Sequence, residues 1–134
     1  DAAKALEFYK SAFGATEGMC LRDGSGRIMH AEVRIGKAVV MFSGEWPDMG
    51  HRGPKHYGGT PLSLCIYVPD VDGFAERAEA AGGEVIQPLE NKFYGDRAVT
   101  MKDPFGHVWA FMTHVEDVTP EEMKRRMAEM MPAG

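Results

Sequence analysis

The sequence predicts an α+β protein built from two βαβββ modules, the first lacking its opening strand. Three observations carry this. Amphipathic helical stretches with caps and stops are each followed by short, alternating, strand-like runs. That order of elements occurs twice within 134 residues, enough chain for one domain with a real core. The two copies also keep a constant spacing, since Asp70 − Asp1, Gly83 − Gly14 and Ala110 − Met41 all equal 69. Identity between the halves is low, so the repeat is one of pattern.

Asp1 is a good N-cap for a helix from Ala2 to Phe13, with Ala2, Ala5, Leu6, Tyr9 and Phe13 on one face and Gly14 as the stop. Thr16 to Arg22 reads as a strand ending in the turn cluster Asp23-Gly24-Ser25-Gly26. Arg27 to Ile35 alternates, and Gly36-Lys37 is a two-residue hairpin loop into Ala38 to Ser43. Module one therefore spans 1–43, and a glycine- and proline-rich loop occupies 44–61. Module two, 62–114, opens with a strand from Leu62 to Val68 and a helix from Asp70 through Ala81, stopped by Gly82-Gly83. Strands are expected at Glu84 to Gln87, Arg97 to Lys102 and His107 to Thr113, the last two joined by the turn Asp103-Pro104-Phe105-Gly106. A C-terminal helix, 119–131, starts at Thr119-Pro120-Glu121-Glu122, a capping box with proline at the first helical position. Its Met123, Met127, Met130 and Met131 form a stripe expected to fill a core or an interface. Because the second helix follows a strand, the repeat predicts one ahead of the first helix too. Chain ahead of Asp1 or a partner's strand would fill that place, since an unpaired sheet edge is a liability.

Charge narrows the partners. Lys plus Arg number 15 against 20 for Asp plus Glu, a formal charge of −5. The basic cluster Lys124-Arg125-Arg126 is interleaved with Glu121, Glu122 and Glu129, so neither nucleic acid nor an anionic membrane is expected as partner. The longest apolar run, Ala38 to Phe42, is far short of the about 20 residues a membrane span needs. Cys20 and Cys65 form no zinc spacing and no redox pair. No signal peptide precedes the first helix, so a cytoplasmic setting is expected.

Several local strings then carry a resemblance. They are Asp1-Ala2-Ala3-Lys4-Ala5-Leu6-Glu7-Phe8-Tyr9-Lys10, Met29-His30-Ala31-Glu32, Phe93-Tyr94-Gly95-Asp96-Arg97 and Asp103-Pro104-Phe105-Gly106-His107-Val108-Trp109. With the repeated module, these resemble the vicinal-oxygen-chelate superfamily of glyoxalase I, extradiol dioxygenases, and fosfomycin- and bleomycin-resistance proteins, in its PhnB-like branch. The resemblance implies curved mixed sheets around a cavity with the helices outside, a small-molecule ligand, and a bacterial homodimer. One scaffold hosts many chemistries there, so the site must decide the function.

The hairpin sorts the faces. Ile35 should oppose Ala38, Val33 Val40 and Ala31 Phe42, with these apolar pairs under the helix. The cavity side then carries Arg34 opposite Val39, Glu32 opposite Met41 and His30 opposite Ser43. By the same alternation Ser63, Cys65 and Tyr67 share one face, as do Val108, Ala110 and Met112, while Trp109 and Phe111 pack under the second helix. The resemblance places metal ligands on the first and last strand of each module, and those positions here are Met41, Ser63 and Ala110. None is a metal ligand of that chemistry, so no metal and no cofactor are expected.

His30, Glu32 and Arg34 instead form a polar row suited to an anionic or oxygen-rich ligand. Trp46 and Tyr57 in the long loop are expected to close as a lid and stack on a flat ligand. The resemblance implies that Phe93 and Tyr94 border the cavity mouth, and Asp96 and Arg97 are expected to pair with each other. The expected function is metal-free binding or sequestration of a small molecule. The alternative is a divalent-metal lyase or dioxygenase using His30, Glu32 and a loop histidine, His51 or His56.

Overall fold

The carboxylate of Asp1 accepts from the backbone N–H groups of Ala3 and Lys4 at 3.0 and 3.2 Å, starting helix α1 (Ala2–Phe13). Gly14 ends it at φ 60°, a left-handed conformation that a Cβ would disfavour. In this computed structural model, which describes residues 1–131, three antiparallel strands follow: β1 (Thr16–Arg22), β2 (Ile28–Ile35) and β3 (Ala38–Phe42). The Gly36-Lys37 loop sets the expected register, with Ile35 opposite Ala38, Val33 opposite Val40 and Ala31 opposite Phe42. Ala31, Val33 and Ile35 are buried on the α1 side. Pairing stops at Ala31–Phe42, so the expected His30–Ser43 pair does not form; His30 faces Leu21 of β1 instead.

The second sheet comprises β4 (Ser63–Tyr67), β5 (Glu84–Asn91), β6 (Asp96–Lys102) and β7 (Val108–His114) in the order β4-β7-β6-β5, with β4 parallel to β7 and the other pairs antiparallel. Asp70 caps α3 (Val71–Ala80) through the N–H of Gly73. Strand β5 (Glu84–Asn91) outruns its expected end at Gln87 and passes through Pro88. It is the outermost strand and its register shifts on both sides of Gln87, the setting in which a residue without an N–H is tolerated. Strand β6 (Asp96–Lys102) completes the sheet. The long loop is partly ordered into a 3₁₀ turn at Pro47–Met49 and a single helical turn, α2 (Pro54–Tyr57). Among the described residues, seven strands and four α-helices make an α+β fold with curved mixed sheets.

The core is centred on α1, not shared equally. This helix buries Leu6, Phe8, Tyr9 and Phe13 with three alanines, whereas α3 buries Val71, Ala75 and Ala78. Trp109, expected under the second helix, also reaches α1: its ring lies 5.3 Å from Tyr9 and 5.1 Å from Phe13. Phe111 bridges the helices, 4.8 Å from Phe13 and 4.2 Å from Phe74. Beneath them, the buried carboxylate of Asp103 accepts from Tyr9 Oη at 2.8 Å, Trp109 Nε1 at 2.9 Å, and the N–H groups of Phe105 and His107. Read from sequence only as a turn residue, Asp103 ties α1 to the β6–β7 turn. Burial, reinforced by that carboxylate, pushes the Tyr9 phenol far above its ordinary range.

Helix α4 (Pro120–Met130) buries none of its residues, and Met127, Met130 and Met131 are exposed, so the stripe fills no core here. Thr119 caps it by accepting from the Glu122 N–H. The return half of the expected capping box is replaced, since the Glu122 carboxylate engages Arg125 and Arg126 and is held down to about 2 by them. Among the described residues no helix is long and apolar enough to cross a membrane.

Candidate functional site

Alternation along β6 and β7 turns Val99, Met101, Trp109 and Phe111 into the core and leaves Ala98, Thr100, Ala110 and Met112 on the concave face. Cys65 stands beside Ala110 on the parallel strand β4. Phe93 and Tyr94, from the β5–β6 connection, and Arg126 and Met130 of α4 border this floor in an open cavity of 740 Å³. Arg126 holds the helix over it by donating to the Phe93 carbonyl at 3.1 Å and to Glu116 at 2.7 Å. Inside, Thr100 and Gln87 share a hydrogen bond of 3.3 Å. The site is an apolar floor with polar groups at its edges, the usual build of a small-molecule pocket.

Of the residues expected to bind ligand, Cys65, Phe93, Tyr94, Ala110 and Met112 line this one cavity. Ser63 and Tyr67 flank Cys65 on the same face of β4 but do not line it. Tyr67 pairs with the lining residue Met112, and its hydroxyl donates to Asp96 at 2.6 Å. His30, Glu32, Arg34 and Met41 lie on the other sheet. His30 Nε2 and Glu32 Oε1 are 2.9 Å apart and half-buried, while Arg34 and Met41 are exposed.

The lid expectation is not met. Trp46 stacks under the Arg27 guanidinium at 3.8 Å and pairs with His51, and Tyr57 is exposed against His56. The loop is drawn to the helix side of the molecule: Glu45 accepts from the Gly53 N–H, Gly44 lies beside Ala2, and Pro54 lies beside Gly106. Neither aromatic borders the Cys65 cavity.

The Asp96–Arg97 ion pair is also absent, for a simple reason. Neighbours on a strand point to opposite faces. Arg97 therefore binds Asp72 of α3, at 2.9 Å, and Asn91, while Asp96 turns to the concave side. There Asp96, 3% exposed, accepts from Tyr67 and, at 3.0 Å, from His114 Nδ1, whose Nε2 lies 2.6 Å from Asp117. The carboxylates of Asp117 and Asp96 raise the imidazole above its ordinary range, and the bond to Asp96 raises the Tyr67 phenol. Sequence reading missed this group and Arg126. Strand alternation carried part of the signal, because Asp96 is two residues from Ala98, and His114 two from Met112.

The positions at which the resemblance puts metal ligands carry a thioether, a hydroxyl and a methyl: Met41, Ser63 and Ala110. Among the described residues, no group of three or more His, Cys, Asp or Glu side chains is placed to hold an ion. The His30–Glu32 pair thus gathers neither His51 nor His56, and the donor set does not fit a resident divalent metal.

Comparison with known proteins fits this geometry. A family model described as the Glyoxalase/Bleomycin resistance protein/Dioxygenase superfamily matches residues 1–111. An uncharacterised protein of Mycobacterium bovis, Mb0911c, is 37% identical over 131 residues, covering 96% of this chain and 86% of its own. Among solved structures, TioX from Micromonospora sp. ML1 is 28% identical with a TM-score of 0.66, over 86% of this chain and 91% of that one. The fosfomycin resistance protein FosX from Listeria monocytogenes, complexed with Mn(II) and sulfate, is 21% identical with a TM-score of 0.58, over 95% and 89% of the chains. At that identity the likeness is one of fold.

Proposed function

The chain belongs to the glyoxalase/bleomycin resistance protein/dioxygenase superfamily, and on that premise we propose that it is a metal-free small-molecule-binding protein of the PhnB-like branch. The observation that carries this is the open cavity on the concave face of the second sheet, whose inward positions Cys65, Ala110 and Met112 offer apolar contact and no metal donor set. We read residues 1–134 as one domain of two modules and the working form as a bacterial, cytoplasmic homodimer. A second copy would cover the exposed face of the first sheet, where Met19, Leu21, Val39 and Met41 surround the His30–Glu32–Arg34 row. Binding rather than turnover is supported by the floor, where Ala98, Ala110 and Met112 offer no acid–base group to a ligand.

The test uses chelator-stripped protein and a panel of neutral flat rings (indole, quinoline, 1-naphthol), read by saturation-transfer NMR and thermal shift. Saturable binding without metal, lost in Ala110→Trp and kept in Met41→Trp, is the expected result. Binding that appears only with Zn²⁺, Mn²⁺ or Fe²⁺, and vanishes in His30→Ala, would overturn it in favour of the metal-dependent lyase or dioxygenase. No binding by any ring would overturn it outright.

A further inference from the structure

Tyr67 is 59% exposed and pairs with the cavity-lining Met112, yet the proton of its hydroxyl is committed. It donates to Asp96 Oδ2 at 2.6 Å, a short bond to a charged acceptor. Asp96 cannot pass that demand elsewhere, because its other oxygen takes His114 Nδ1 at 3.0 Å. His114 in turn brings Nε2 to 2.6 Å from Asp117, so both ring nitrogens face carboxylates and both donate when the imidazole is protonated. The phenolic proton points to Asp96 in either state of the ring. What remains free on the phenol is a pair of oxygen lone pairs, made more basic by the carboxylate behind them.

From this arrangement we infer that Tyr67, locked by Asp96 as a hydrogen-bond acceptor, anchors an N–H or N⁺–H group of the ligand at the β4 end of the cavity. The ligand class is then a flat ring compound bearing an amine or amide donor. This rests on the cavity being the binding site, as proposed above. A carboxylate or carbonyl at the same place would meet lone pair against lone pair. The cavity's cations do not compensate. Arg126 is matched by Glu116 and Glu122, and Lys92 is bonded to Glu90. The charged groups around the phenol are Asp96 and His114, with Asp117 behind the imidazole, while Tyr94 and Cys65 are its neutral neighbours on the cavity side. The anionic or oxygen-rich ligand suggested by the His30–Glu32–Arg34 row does not suit this cavity, because that row lies on the other sheet.

The experiment compares two indoles of matched shape, tryptamine and indole-3-propionate, by calorimetric titration at neutral pH. A net charge of −5 favours a cation at any site, so the decisive readout is how the preference changes with Tyr67 and Asp96. Tryptamine is expected to bind about tenfold more tightly, the scale of one charge-assisted hydrogen bond, and Tyr67→Phe to erase most of that ratio while both indoles still bind. Asp96→Asn provides a second variant. Its amide can donate to the phenol, free the phenolic proton and shift the preference toward the propionate. Circular dichroism and melting curves establish that each variant is folded. A ratio unchanged in both variants, or a wild-type preference for the propionate, overturns the anchor and leaves the cavity reading standing. If the wild type binds neither indole, the anchor falls, and the neutral-ring panel decides the cavity reading.

Discussion

The two halves of this molecule follow one backbone plan and spend it differently. Positions 69 apart make the contrast residue by residue, as with Met41 and Ala110, Val40 and Trp109, and Arg34 and Asp103. In the first half Met41 and Arg34 are exposed and Val40 is half-buried. In the second, Ala110 lines a cavity, and Trp109 and Asp103 are buried. The strand patterns are alike, so they do not decide this. What differs is what is laid against each sheet. The second has the added strand β4 on one edge and α4 over its concave face. The first has three strands, and among the described residues no strand pairs with the outer edge of β3. A concave sheet becomes a site only when something covers it.

The sharpest test of that contrast is stability. Trp109→Ala removes a ring that touches Tyr9, Phe13 and Phe111, and is expected to cost about 3–5 kcal/mol in urea unfolding. Val40→Ala, its counterpart on a half-buried site, should cost about 1 kcal/mol. Equal losses would mean that the core is shared evenly between the halves. Next comes Asp103→Ala, which strands Tyr9 Oη, Trp109 Nε1 and two backbone donors and should cost about 2–4 kcal/mol. Arg34→Ala, exposed at the matching position, should stay within about 0.5 kcal/mol. A small effect at Asp103 would mean that its donors find water instead.

Most of the plan was legible because it is local. Asp1, Gly14, Gly36-Lys37 and Asp70 act through their own neighbours, and the hairpin fixed Ile35 against Ala38 with every apolar pair that follows. Strand β5 runs past its expected end at Gln87 and through Pro88, which only its place at the sheet edge, a tertiary fact, makes tolerable. The site was legible in part. Alternation grouped Cys65, Ala110 and Met112, but no pattern tells which face of the molecule a glycine-rich loop will choose, and Trp46 went to Arg27. Asp96 was misassigned to the residue beside it, and its true partners, Tyr67 and His114, are 29 and 18 residues away. Buried carboxylates are recognised by the donors that converge on them, and those come from distant strands.

The smallest expected effect lies at His114, where the halves differ in charge chemistry. Its imidazole is raised by Asp117 and then Asp96, so the folded state holds the proton more tightly than the unfolded chain does. The stabilisation is fully present below the unfolded value of about 6.5 and is lost as pH rises through the higher folded one. Wild type should therefore lose slightly more stability than His114→Gln between pH 6 and pH 9, read as the difference between their urea midpoints. The side chain is half-exposed, so solvent screens the pair and the difference is small. Glu45, the matching position in the first half, accepts from the Gly53 N–H and has no imidazole to titrate. Glu45→Gln should then follow the wild-type curve across that window. If His114→Gln follows it as well, the imidazole is not held charged by the two carboxylates. In that case Tyr67 and Asp96 keep their bond without the third partner.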